Sequence, residues 1–138
     1  MATQRTGYSG RPLYKKLGIK EEYKVQLIQA PEEYFDWLEI PFALDFEKEG
    51  EIVNFVHLFS KEKDQLEQLI ATALPQLAQN GMIWVSWPKK ASKVVTDVTE
   101  DVIRSLIFPH GLVDVKVCSV SNIWSGLKVV IRKENRTS

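Results

Sequence analysis

A chain of 138 residues, 44% apolar and 26% charged, has the makeup of one globular domain long enough to bury a core. Its 18 basic and 18 acidic residues cancel, which removes the general electrostatic case for nucleic acid or an anionic membrane as partner. Cys118 is the only cysteine, so an intramolecular disulfide and any zinc site built from several thiolates are excluded.

The two histidines, His57 and His110, stand far apart with no ligand spacing between them. The first residues, MATQRTGYSGRP, lack an apolar signal core, and no apolar run approaches the ~18 residues of a membrane span. The expectation is a single cytoplasmic domain over residues 1–138, frayed over 1–8 and ending in a polar tail over 133–138.

In chain order, Ser9 to Gly18 reads as a short helix, with Pro12 in its first turn, Leu13 and Leu17 on one face and Gly18 past its end. Lys24–Gln29 reads as a strand stopped by Ala30-Pro31. Pro31 then suits the first position of a helix with Glu32 and Glu33 in its first turn, ending before Pro41. Phe42–Phe46 reads as a short edge strand and Glu47–Gly50 as a charged turn. The nearly continuous apolar run Ile52–Phe59 has the profile of a central strand covered on both faces.

Ser60 is placed to cap the next helix, where Leu66, Leu69, Ile70, Ala73, Leu74 and Leu77 recur at helical spacing. Pro75 predicts a kink or a fresh turn, and Asn80-Gly81 a C-cap. Met82–Trp87 is a buried strand and Pro88 its stop. A basic loop with Lys89, Lys90 and Lys93 leads to a helix near Asp97, whose spacing to Glu100 fits a capping box. Val113–Val120 alternates as a strand with Val113, Val115 and Val117 on one face. Ser121–Gly126 is a turn, and Leu127–Ile131 is a strand that must run antiparallel to its neighbour, because the connection is too short for a parallel crossover.

The order α, β, α, β, β, α, β, α, β, β predicts a three-layer Rossmann-like α/β sandwich. Its sheet has about six strands, mostly parallel, with one antiparallel strand in a C-terminal hairpin.

Three stretches, SGRPLYKKLGIK, MIWVSWPKKAS and GLVDVKVCSVSNIWSGLKVV, together resemble a family of small bacterial proteins catalogued as a domain of unknown function, family 3052. The likeness runs from Ser9 to Arg132 and is most specific at WVSWPKKAS followed by TDVTEDVIR. It implies no established activity and transfers no catalytic residue. LPQLAQNGMIWVSW and the closing hairpin also look like the late helix–strand segment and hairpin of S-adenosylmethionine-dependent methyltransferases. That likeness implies the strand order 2-1-3-4-6-5 with strand 6 antiparallel. Those enzymes follow their first strand with a glycine-rich turn. Here Gln29–Phe35 (QAPEEYF) has no glycine, and Pro31 removes a backbone donor. An acidic residue ending strand two would be sought at Asp45. The expected outcome is the fold without the cofactor site, so no cofactor is predicted.

Parallel strands would bring Pro31–Tyr34, Ser60–Lys61, Pro88–Lys93 and Ser119–Ser125 to the C-terminal edge of the sheet, where open α/β sheets bind ligands. There Lys89, Lys90, Ser92 and Lys93 form a candidate anion loop, against the plainer reading of a solvated lysine loop before a capped helix. Trp84 and Trp87 face opposite ways in a regular strand, leaving Trp87, Trp124 and neighbouring Ser125 as the aromatic corner of the same edge. No G-x-S-x-G elbow accompanies the serines, His57 reads as a hydrogen-bonded core residue, and the carboxylates show neither metal spacing nor an acid–base pairing. The leading expectation is a non-enzymatic cytoplasmic domain binding a small anionic ligand or a protein partner at that edge. The alternatives are a diverged transferase using S-adenosylmethionine or a nucleotide, and a homodimeric module paired along Phe42–Phe46 or the closing hairpin. Neither nucleic acid nor membrane is expected as a partner.

Overall fold

The computed structural model describes residues 11–137. The expected fraying over 1–8 and the start of the first helix at Ser9 lie outside the described residues. Six strands form one sheet in the order β2-β1-β3-β4-β6-β5. They are β1 (Lys24–Ile28), β2 (Asp45–Phe46), β3 (Val53–Phe59), β4 (Leu77–Pro88), β5 (Leu112–Ser119) and β6 (Trp124–Ile131). The pairs β1–β2, β1–β3 and β3–β4 are parallel, while β6 runs antiparallel to both β4 and β5. This is the order implied by the methyltransferase likeness. Among the described residues the α-helices are α1 (Leu13–Leu17), α2 (Tyr34–Leu38), α3 (Lys63–Ala73) and α4 (Glu100–Ile107).

Strand alternation divides the core into two clusters. Val56, Leu58, Ile83, Val85, Trp87, Leu127 and Val129 pack with Leu66, Ile70 and Ala73 of α3 and Ile103, Leu106 and Ile107 of α4. Phe55, Phe59, Met82, Trp84 and Val25 pack with Leu13 and Leu17 of α1 and Tyr34 and Leu38 of α2. Successive residues of β3 and β4 thus serve opposite faces, as a pleated strand covered on both sides requires. The five-residue α1 is too short to hold itself. It is held by Leu13 and Leu17, by Gly18 at φ 82°, and by the Trp84 Nε1–H donating to Leu17 O at 2.8 Å.

Several local expectations are corrected. Pro75 does start a fresh turn (Leu74–Gln76), but the chain leaves it directly into β4. Asn80-Gly81 therefore lies within a strand and caps no helix. The β3–β4 register jumps from Val53↔Leu77 to Phe55↔Met82, and Gly81 sits in that bulge. A Cβ there would lie 3.0 Å from Asn54 O, so the close approach of β3 favours glycine. Ser60 does not cap α3. Its Oγ accepts from the Glu62 N–H, and the α3 N-cap position is Glu62 itself. Residues 31–33 form a turn ahead of α2, with the Tyr34 N–H donating to Pro31 O.

The capping box also fails. The cap of α4 is Thr99, whose Oγ1 accepts from the Val102 N–H. Asp97 Oδ1 instead accepts from the N–H of Lys63, the first residue of α3, at 2.7 Å. Glu100 sits at the first helical position and pairs with Arg104. In β5, a register shift between Asp114 and Lys116 breaks the predicted face. Val113 opposes Val130 and Val117 opposes Leu127, residues that belong to different clusters. The tail is tied back, with Asn135 Nδ2 donating to Gly111 O and the Thr137 N–H to Gln79 Oε1. Among the described residues no helix is long and apolar enough to cross a membrane, and no group of three metal-ligating side chains converges.

Candidate ligand-binding cleft

The chain leaves β1 for α2 in one core cluster and β3 for α3 in the other, so the winding reverses between these two adjacent strands. A crevice opens at such a reversal, beyond the C-terminal ends of the strands. Here it is a half-open cleft of about 370 Å³. Phe59 and Trp124 supply aromatic surface, Gln29, Ser60 and Gln65 supply amides and a hydroxyl, and Lys61 and Glu62 one charge of each sign.

Gln29, the residue after β1, has φ 59°, a left-handed conformation that bulky residues seldom adopt. Its Nε2 donates to Phe59 O at 2.7 Å and to Gln65 Oε1 at 3.1 Å. Gln65 Nε2 returns a bond to Gln29 Oε1 at 3.2 Å, and Ser60 Oγ lies 3.0 Å from Gln65 Oε1. The two amides form a closed pair pinned between β1, β3 and α3. One N–H of Gln65 and one lone pair of Gln29 Oε1 are left over, a donor beside an acceptor. Trp124 is presented by a tight turn in which Ser121 Oγ accepts from the N–H groups of Ile123 and Trp124. Its ring meets Phe59 edge-on at 5.1 Å between centroids.

Phe59 rests in turn on His57, stacked at 4.4 Å. His57 is fully buried, hydrogen-bonded through Nδ1 to Tyr34 Oη and through Nε2 to Ser86 Oγ, each at 2.8 Å. Burial lowers the His57 pKa to about 3, so the ring is neutral. Burial also raises the Tyr34 phenol well above its usual value, which keeps it protonated. A neutral imidazole offers one N–H and one lone pair, so one hydroxyl accepts from the ring and the other donates to it. All three side chains are sealed from solvent, and this core network supports the cleft without reacting in it.

Of the predicted site residues, Trp124 alone lines the cleft. Trp87 opposes Ser125 and is buried in the α3–α4 cluster, while Trp124 opposes Pro88 and packs against the other cluster. The pleat that separates Trp84 from Trp87 thus separates Trp87 from Trp124 too. Lys89 Nζ donates to Ser119 Oγ at 2.6 Å, and burial, then the Lys16 charge, lower its pKa. Ser92 Oγ donates to Lys89 O and accepts from the Val94 N–H, which spends it on the turn. Lys90 and Lys93 are exposed.

The basic loop acts on the cleft indirectly, as a strap. At one end the Lys89 N–H donates to Ile123 O, beside Trp124. At the other, Thr96 Oγ1 and the Asp97 N–H donate to Lys61 O, and Asp97 holds Lys63. Sequence reasoning brought Ser60, Lys61 and Trp124 to this edge. It missed Gln29, Phe59, Glu62 and Gln65 as lining residues. The available signal was a long polar side chain standing where a glycine-rich turn was absent.

A family model described as "Protein of unknown function (DUF3052)" matches residues 39–133. Among curated proteins, none matches the chain. Among solved structures, LepI in complex with SAM is similar at TM-score 0.54 and 9% identity, over 87% of this chain and 39% of that one. A pericyclic reaction enzyme is similar at TM-score 0.56 and 9% identity, over the same 87% and 39%. The B. subtilis M1A22 tRNA methyltransferase TrmK is similar at TM-score 0.53 and 8% identity, over 89% of this chain and 66% of that one. The chain spans about two-fifths of the first two structures and less than two-thirds of the third. At such identity the likeness is one of fold.

The residues present do not fit SAM as that fold would hold it. The turn after β1 is Gln29-Ala30-Pro31, without glycine, and the Gln29 side chain spans the crevice to Phe59 and Gln65. Asp45 opposes the first residue of β1 and pairs with Lys24 Nζ at 3.1 Å. It therefore lies at the N-terminal edge of the sheet, away from the cleft.

Proposed function

We propose, from the premise that the chain belongs to the DUF3052 family of proteins of unknown function, that it is a non-enzymatic domain. It uses a three-layer methyltransferase-like sandwich to bind a small molecule in the cleft between β1 and β3. The observation that carries this reading is the pinned Gln29–Gln65 pair beside Trp124: a ring surface next to a fixed donor and acceptor. Such a site suits a small ring-bearing ligand with a hydrogen-bond acceptor next to a donor, as along a lactam or nucleobase edge. Lys61 adds one cation for an anionic substituent, and Glu62 beside it keeps the mouth near neutral.

The test is a thermal-shift and tryptophan-fluorescence screen of nucleobases, nucleosides, nucleotides and SAM. A ligand of the stated class raises the melting temperature, because it binds the native state alone. It also changes the emission of wild-type protein and not that of Trp124→Phe, and Gln65→Leu loses it. Stabilisation by millimolar SAM with no response to adenine or adenosine, abolished in Gln65→Leu, would overturn this reading. It would favour instead the transferase alternative, which the fold shared with LepI and TrmK supports.

A further inference from the structure

Away from the cleft, basic side chains gather on the sheet face that carries Trp84. Lys116 of β5 stands directly opposite Lys128 of β6, and Lys128 is opposite Trp84. Opposed residues in a ladder share a face, so the two ammonium groups project to one side as cross-strand neighbours. Cys118, two residues beyond Lys116, is half-buried on the same face against the cluster that includes α1. The bond from Trp84 to Leu17 O fixes α1 there, and Lys16 lies within electrostatic reach of both Cys118 and Lys89. Lys89 Nζ is held on Ser119 Oγ, next to Cys118.

Like charges directly opposite in a sheet destabilise it. Burial and Lys116 both lower the Lys128 pKa. Burial raises the Cys118 thiol, while Lys16, Lys116 and Lys89 pull it back down. Among the described residues no carboxylate figures in the electrostatics of Cys118, Lys89 or Lys128. Asp114, the acid within β5, is turned to the other face, where it accepts from Arg104. A lysine on edge strand β5 also deters unwanted strand pairing. That role accounts for Lys116 and leaves Lys128, on the interior strand β6, unexplained.

We propose that this face is a second binding site, for a small multivalent oxyanion of the phosphoryl type, seated among Lys89, Lys116 and Lys128 beside Cys118. Several ammonium donors on one face match the several strong acceptors and multiple charge of such a group. A small anion fits better than a polyanionic polymer. The chain is neutral overall, and α2, in the same core cluster as α1, carries exposed Asp36 and follows exposed Glu32 and Glu33.

Cys118, the only thiol, reports on the site. Its alkylation by iodoacetamide is followed on native protein with inorganic pyrophosphate, and with sodium chloride at matched ionic strength. Pyrophosphate slows alkylation about threefold or more and raises the melting temperature by about 2–4 °C, whereas chloride does neither. The double variant Lys116→Gln/Lys128→Gln folds, having lost a repulsive pair, and loses both responses. Gln65→Leu keeps both, which separates this site from the cleft. Equal effects of pyrophosphate and chloride, or responses that survive in the double variant, would overturn the proposal. Stronger protection by single-stranded DNA than by pyrophosphate would overturn the small-anion assignment.

Discussion

Lowering the pH protonates the unfolded imidazole of His57 near 6.5 and the native one only near 3. Between these values the unfolded chain holds one more proton than the native protein, so stability falls as pH falls. The native pKa is depressed, so the full contribution is present above about 6.5 and is lost progressively toward 3. The slope is about 1.4 kcal/mol per pH unit, up to about 5 kcal/mol over the whole window. A domain of this size has roughly 5–15 kcal/mol in total, so this one ring costs about a third of that stability or more by pH 3. Burial alone drives the shift. Both hydroxyl partners could accept from a charged ring, so the network does not forbid the cation, whereas removal from water does.

The assay is urea denaturation followed by circular dichroism, between pH 6.5 and about 5. There the lowered carboxylates Glu51 and Glu134 stay ionised and do not contribute. Wild type should lose about 2 kcal/mol across that interval. His57→Gln, which keeps a donor and an acceptor but does not titrate, should start lower by about 1–3 kcal/mol and stay flat. Parallel pH profiles for the two proteins would refute the argument. So would a native imidazole resonance titrating near its ordinary value.

Two further outcomes follow from the corrected local structure. Thr99→Ala should remove hydrogen-exchange protection at the Val102 amide and cost about 1 kcal/mol. Asp97→Ala should spare that amide and expose the Lys63 amide instead. The reverse pattern would restore the capping box. Gly81→Ala brings a Cβ to 3.0 Å from Asn54 O, 3.1 Å from Ala78 O and 2.9 Å from Leu77 Cδ1. Two of these are backbone atoms that yield little, so a loss of about 1–3 kcal/mol is expected in urea midpoints. An unchanged midpoint would mean that the β3–β4 bulge relaxes freely.

The strap over residues 89–97 bears on all of this. It was the most visible functional stretch in the sequence, because lysines between a strand and a helix resemble an anion loop. In the structure its polar groups are spent on backbone: Ser92 on its own turn, Thr96 on Lys61 O, Asp97 on the Lys63 N–H. It positions the cleft residues Lys61 and Trp124 and leaves recognition to them. Lys89 points away from the cleft, toward Ser119 and the basic face.

What the sequence by itself determined was whatever repeats with a local period or rests on a single residue's chemistry. The apolar run of β3, the helical spacing of α3, the prolines and Gly18 are legible because strands and helices impose their periods on neighbours in the chain. The separation of Trp84 from Trp87 followed from the pleat alone. The absence of a glycine turn after β1 was visible as composition. Only the tertiary structure decided which residues meet. Gln29 reaches Gln65 across 36 positions, and Asp97 finds Lys63 across 34. One inserted residue at Val115 reverses the faces of β5, and the bulge at Gly81 lengthens β4 into the stretch that looked like a helix end. A register shift costs little locally and moves every later side chain to the other face. The cleft and the lysine face both depend on such registers, so neither leaves a period for sequence reading to find.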